Sequence, residues 1–319
     1  MDSVDFAVYR FLSPDGEARF WAGRRVIDPM MPAREIAART RLSENAVRAR
    51  LRGLAERGYL RTSAVTPNPS LFDARAFVTE IPVRTSVDSD RLFEDLALVD
   101  GVVFARDTMD EGERKVRVHF LADRDAATAR TVSLLGRLCS APTPPTATPY
   151  LLPPCEIELS PLDWRILAAR MRLPDADLGE LAKSVHVSDK TTARRHHRLA
   201  AARAFWWTHG PESEEFPLAL VRVRVRDASH RASVTKLVIQ KFEEWMPAAA
   251  DGLGLPAEEA SILVAGLTPA DSPTFLERVV RGLTAVPGVV DVQRTFPLGS
   301  RAYPAWLADR VAERVPSPR

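Results

Sequence analysis

His196 and His197 stand side by side in this 319-residue chain, and Cys139 and Cys155 are its two cysteines. Either set would matter if it could hold a metal or supply a nucleophile. Adjacent helical residues point about 100° apart, so the two imidazoles cannot converge on one ion. Neither a carboxylate nor a further cysteine lies at ligand spacing from them, so neither a zinc site nor a disulfide framework is expected. The sequence also has no glycine-rich phosphate loop, no GxSxG elbow and no metal-binding His-carboxylate motif. "GLGLP" (252–256) reads as a plain turn. On these grounds the expectation is a protein without metal, cofactor or catalytic residues, and not an enzyme.

Arginine is the residue type whose spacing does suggest chemistry. "LSENAVRARLRGLAERGYL" (42–60) carries four arginines in a short run with apolar Val47, Leu51 and Leu54 at helical spacing. With those three facing a core, Glu44, Asn45, Arg48, Ala49 and Arg52 face outward, and Ser43 stands where an N-cap is wanted. Guanidiniums on such a face suit guanine O6/N7 or phosphate, and Asn45 suits adenine. A solvated helix with Glu44–Arg48 pairing is the plain alternative.

The elements that would position this helix come in two copies. "EIAARTRLSENAVRARLRGL" (35–54) lies without a gap over "ELAKSVHVSDKTTARRHHRL" (180–199) at an offset of 145. Arg50 then meets Arg195, and the candidate DNA-contacting set becomes Ser43, Glu44, Asn45, Arg48, Arg50 and Arg52 with Ser188, Lys190, Thr191, Arg194, Arg195 and His197. Because Arg50 and Arg195 share a register, a common phosphate contact or a structural ion pair suits them as well as base reading. His196 takes the register of Leu51. Upstream, "SVDFAVYRFL" (3–12) resembles "PLDWRILAAR" (161–170) at an offset of 158, so the first copy holds an insertion at about 15–31. Each copy reads as three helices with a short turn and a serine cap before the third, the arrangement of a helix-turn-helix. The strands that follow, "YLRTSAV" and "FWWTHG", are candidate wings, with one of Trp206 and Trp207 turned inward and the other packed on the neighbouring domain.

Charge follows the same alternation. Residues 1–66 hold 12 Lys/Arg against 8 Asp/Glu and residues 160–210 hold 9 against 5, +4 each. Residues 67–150 carry 10 against 13 and 211–304 carry 10 against 12. The acidic stretches read as strand, helix, strand, strand, helix, strand, the later copy being unclear around its second strand. The fold class expected is α+β, with two winged helix-turn-helix domains alternating with two ferredoxin-like βαββαβ domains. The divisions are 1–66, 67–140, a Pro-rich linker 141–159, 160–210, 211–304 and a C-terminal tail 305–319. No apolar run is long enough to cross a membrane, and the acidic start "MDSVDFAVYRF" lacks the order of a secretory signal, so a cytoplasmic protein is expected.

"LSPLDWRILAARMRLPDADLGELAKSVHVSDKTTARRHHRL" (159–199) and "LTAVPGVVDVQRTFPL" (283–298) resemble the opening and closing segments of the Lrp/AsnC feast-or-famine transcription regulators. That resemblance implies double-stranded DNA as a partner, recognition helices at 43–57 and 188–202, self-association through the ferredoxin-like domains, and a small-molecule effector such as an amino acid. The usual protomer has one unit of each kind, whereas this chain has two. The glycine common in the family's turn is Arg41 in one copy and His186 in the other. Siroheme decarboxylases of heme biosynthesis share the tandem architecture and are the alternative, with a non-DNA-binding scaffold as a further one. Their histidine- and arginine-rich motifs would fall on "GVVFARDT" and "KVRVHFLAD", which offer Arg106, Arg117 and His119, with His230 after the first strand of the later copy. That sparse set weighs toward regulation.

Overall fold

The structure is a computed structural model that describes all residues except 1–2, 13–18, 22–23, 28–30, 58–59, 61–63, 111–112, 151, 153–154, 210–217, 242–247, 251–260, 268–272 and 317–319. The first helical unit comprises α1 (Ser3–Arg10), α2 (Ala33–Thr40) and α3 (Glu44–Glu56). The region of the insertion contributes β1 (Arg19–Trp21) and β2 (Arg24–Ile27), and the unit ends in β3 (Ala64–Pro67). Apolar spacing sets its core: Val8, Leu12, Ile36, Val47 and Leu54 are all buried. Next come β4 (Arg75–Pro82), α4 (Ser89–Ala97), β5 (Val102–Asp110), β6 (Glu113–Ala122), α5 (Asp125–Leu138) and β7 (Thr148–Tyr150).

The second copy repeats the plan. It has α6 (Pro161–Arg172), α7 (Leu178–Val185), α8 (Asp189–Ala201) and β8 (Phe205–His209). Then follow β9 (Leu218–Val225), α9 (Arg231–Lys241), β10 (Ala248–Ala250), β11 (Ser261–Leu267), α10 (Pro273–Thr284) and β12 (Val289–Ala302). The fold is α+β, two helix-turn-helix units alternating with two βαββαβ units. The strand that was unclear in the sequence is the three-residue β10. Residues 305–319 are more than a tail: α11 (Ala305–Arg314) buries Leu307 and Val311, four apart on one helical face, in the core shared with the helix-turn-helix units.

Both turns of the helix-turn-helix pass through the left-handed region, at Arg41 (φ 57°) and His186 (φ 53°). These are the positions where glycine is favoured because it has no Cβ to clash. The strands expected to be separate wings pair with each other. β8 sits between β2 and β3 in a four-stranded sheet of order β1-β2-β8-β3, with Ala64 opposite Thr208 and Pro67 opposite Phe205. A strand of the second copy is thus the centre of the first copy's sheet. Trp206 and Trp207 are both buried there, as their apolar context predicts.

The remaining strands form one eight-stranded sheet of order β10-β11-β9-β12-β5-β6-β4-β7. β12 makes the join: Val289–Thr295 pairs with β9, and Thr295–Ala302 pairs with β5, with a register shift between Pro297 and Gly299. A bulge of this kind bends a strand and re-aims it. Helix-facing residues of alternate parity make two cores, one around Val116, Val118 and Phe120, the other around Val221, Val223 and Val225. The opposite parity faces inward. Arg222 on β9 hydrogen-bonds Glu80 on β4 at 2.5 Å. Those strands lie four places apart in the sheet, about 19 Å if it were flat. The sheet is therefore rolled, so that the two βαββαβ units face each other across its inner surface.

Candidate functional site

The inner surface is built by strand alternation. On β6, Val116, Val118 and Phe120 point to the helices, which leaves Arg117 and His119 on the inner side. Cross-strand pairing sets Glu80 of β4 and Arg106 of β5 on either side of Arg117. On β9, buried Val221 and Val223 leave Arg222 facing inward from the other unit. Glu80 Oε1 accepts from Arg117 Nε at 2.9 Å and from an Arg222 terminal nitrogen at 2.5 Å. One carboxylate oxygen thus joins guanidiniums from the two units.

Electrostatics follow from this crowding. Burial works to raise the Glu80 carboxyl, but Arg117 and Arg222 outweigh it and hold it at about 2. Burial, then the charges of Arg117 and Arg106, push His119 down to about 3, so its imidazole is neutral near pH 7. Burial and Arg117 lower Arg106 to about 10. Arg106 lies 5.3 Å from the Phe104 ring centroid, and Phe104 meets His119 edge-on at 5.8 Å. The surface offers charge-assisted donors and a neutral imidazole, a set suited to a ligand with several carboxylates.

A second buried pair has a structural task. Arg114 grips Asp107 through Nε at 3.0 Å and Nη2 at 2.6 Å, and Ser89 Oγ donates to the same carboxylate at 2.8 Å. Arg114 Nη1 also donates to the Val87 carbonyl at 2.5 Å. This ties the start of α4 to the β5–β6 hairpin, on the helix side of the sheet.

The residues singled out on the two third helices divide into two groups. Ser43 accepts from the Ala46 N–H at 3.2 Å and Ser188 from the Thr191 N–H at 3.4 Å, so both are N-caps. Asn45, Arg48, Arg52, Lys190, Arg194 and His197 are exposed, Arg48 pairing with Glu44 along the helix, and Thr191 is half-buried. Arg50 and Arg195 turn the other way. Arg50 pairs with buried Asp5 at 2.9 Å, and Arg195 with buried Asp163 at 3.0 Å. Arg57 and Arg198 complete the same two clusters. Of the roles open to Arg50 and Arg195, the ion pair is the one the structure displays.

His196 is buried against Phe205 and Trp207, with ring centroids at 5.3 and 5.8 Å. Among the described residues, no cluster of three or more His, Cys, Asp or Glu could hold a metal ion, and no helix is long and apolar enough to cross a membrane. Sequence reading named Arg106, Arg117 and His119 as a sparse set, and it missed Glu80 and Arg222 as their partners. The available signal was parity: a glutamate interrupting the apolar β4 and arginines alternating with valines in "VRVRVR" (221–226).

No protein-family model matches the sequence, and no curated protein matches it. Among solved structures, the siroheme decarboxylase NirDL aligns over 98% of this chain and 98% of its own, with 10% identity and a TM-score of 0.50. A Neisseria meningitidis transcriptional regulator solved with L-methionine covers 44% of this chain and 90% of its own, with 24% identity and a TM-score of 0.34. Escherichia coli AsnC covers 44% of this chain and 93% of its own, with 15% identity and a TM-score of 0.31. What is common to the full-length pair is the fold, in both of its tandem copies. The expectation that the chain is not an enzyme is corrected here, because the structure it matches from end to end is an enzyme. The sequence reading weighed only Arg106, Arg117 and His119, whereas the inner face joins them to Glu80 and to Arg222 of the other unit.

Proposed function

We propose that this protein is an enzyme acting on a carboxylate-rich tetrapyrrole, a decarboxylase of the siroheme kind, with the inner face of the rolled sheet as its site. The observation that carries this reading is the grouping of Arg106, Arg117 and Arg222 with His119 around Glu80, drawn from both βαββαβ units. The end-to-end fold shared with a siroheme decarboxylase supports it. Arginines bind and orient the ligand's carboxylates through charge-assisted bonds. Neutral His119 offers one N–H and one acceptor nitrogen in a site where burial strengthens both. Decarboxylation of an acetate arm breaks its C–C bond, releases carbon dioxide, leaves the electron pair on the ring system, and ends when a proton restores a methyl group. The test is to incubate the protein anaerobically with siroheme and follow product mass and Soret absorbance. Loss of carbon dioxide, abolished in Arg117→Ala and Arg222→Ala, is the expected result. An intact substrate that never changes the spectrum would refute the reading.

A second reading concerns DNA. It is favoured by the exposed row Asn45, Arg48 and Arg52 on α3 and by Lys190, Arg194 and His197 on α8. In a helix-turn-helix this outward face enters the major groove. An amino-acid effector and self-association through the sheet units belong with this reading. Binding to the chain's own upstream DNA should then weaken steeply with salt and fall further in Arg48→Glu and Arg194→Glu. Binding indifferent to both substitutions would refute it.

A further inference from the structure

We propose that Glu80 is an internal stand-in for a ligand carboxylate: without ligand it closes the fork between Arg117 and Arg222, and a carboxylate of a polycarboxylate ligand displaces it. The inference rests on reading the inner face as a tetrapyrrole site and adds a residue that sets the site's affinity and selectivity.

Geometry provides the argument. Glu80 lies in the middle of β4, between Thr79 and Ile81, both buried. It stands directly across from Arg117 and reaches over the inner surface to Arg222, 142 positions along the chain. Both guanidiniums converge on the same oxygen, Oε1. The glutamate side chain is 31% exposed, whereas those of Arg117 and Arg222 are 10% and 17% exposed. The glutamate side chain is thus the most accessible of the three, and the two arginines are the more covered. Rotating Glu80 outward returns its charge to solvent at little desolvation cost, while an incoming carboxylate remakes the bonds to the arginines. Arg106, one strand further along from Arg117, places another guanidinium for a second carboxylate of the same ligand. A ligand with a single carboxylate would exchange one ion pair for another with no gain. A polycarboxylate gains the additional contacts, which makes the glutamate a filter for multiply charged ligands.

Uroporphyrin III and benzenehexacarboxylate are the probes, titrated at constant ionic strength into the full chain and into Glu80→Gln and Glu80→Asp. Porphyrin binding is read from the Soret shift, and benzenehexacarboxylate binding from the rise in Tm. Removing the internal competitor should tighten porphyrin binding by about tenfold or more in Glu80→Gln, and to a lesser extent in Glu80→Asp, whose shorter arm grips the fork less well. Glu80→Gln should melt lower than wild type when unliganded, and benzenehexacarboxylate should raise its Tm more than it raises the wild type's. If wild type binds uroporphyrin and both variants bind it no more tightly, Glu80 is a structural ion pair and the proposal fails while the tetrapyrrole reading stands. If no protein binds uroporphyrin but benzenehexacarboxylate favours Glu80→Gln, the stand-in survives and the tetrapyrrole reading fails. Indifference of every protein to both probes overturns both.

Discussion

Three apolar core positions of the first helix-turn-helix are polar in the second. Buried Leu12 and Val47 and half-buried Leu51 correspond to Arg170, Thr192 and His196, all three of them buried, with Arg170 and His196 each 1% exposed. Arg170 has a local reason to be there. Its Nη1 donates to the Ala176 carbonyl at 2.6 Å and lies 3.4 Å from those of Leu173 and Pro174, closing the chain behind α6. Among the described residues, neither His196 ring nitrogen nor Thr192 Oγ1 has a hydrogen-bond partner. Burial, then the Arg170 and His197 charges, push His196 down to about 4. The folded state therefore holds a neutral imidazole, while the unfolded chain takes up a proton near 6.5. Stability contributed by His196 is complete above about pH 6.5 and drains away as pH falls toward about 4, by on the order of 3 kcal/mol. His196→Leu, which restores the residue of the first copy, should raise Tm at pH 5 more than at pH 7.5 and flatten the pH profile. An unchanged slope would show that His196 does not control it, leaving His119, also held neutral by burial, as the next histidine to change.

At the scale of elements, one carboxylate per copy fastens the third helix to the first. Asp163 accepts from Arg195 and Arg198 and forms a capping box with Ser160, whose N–H donates to it at 2.9 Å. Burial works to raise its pKa, but the Ser160 bonds and Arg195 outweigh it and lower it. Its contribution is complete above the ordinary carboxylate range and is lost only as pH falls through that lowered value, below the window in which His196 acts. Asp163→Asn should cost about 2 kcal/mol in denaturant melts at pH 7, since the acid is buried while both arginines are partly hydrated. A loss under about 0.5 kcal/mol would demote the pair to surface decoration. This pair was legible in the sequence. Asp5 repeats as Asp163 at the offset of 158, and Arg50 repeats as Arg195 at 145, so both partners recur together. The helices and caps were legible for the same reason: their signals lie within a few residues of each other. Glu80 and Arg222 were not, because only the roll of a sheet joined through β12 brings them together. The β3–β8 pairing was equally hidden, since the sequence shows two strands but not that each completes the other's unit.

At the scale of the whole molecule, neither copy stands by itself. β8 of the second copy is the central partner of β2 and β3, and the second half of β12 is a neighbour of β5. Tyr303, at the end of that strand, donates to the Phe93 carbonyl at 2.9 Å, and α11 then packs back on the helical core. The covalent connection through residues 141–160 is therefore not what holds the halves together. It lies along the fold, β7 pairing with β4 and Ile157 and Leu159 packing against the helical core, and keeping the halves on one chain raises their effective concentration. Two fragments, residues 1–155 and 156–319, should accordingly associate when made together. They should elute as one 1:1 species at the volume of the intact chain, with a Tm that rises with concentration as that of a two-chain assembly must. Each fragment alone should aggregate, because it exposes unpaired strand edges that its other half would cover. Soluble, separately folded halves that ignore each other would mean that the sheets close within each copy. The inner face would then lose Arg222, and Arg117 with Glu80 would remain as a pair within one unit.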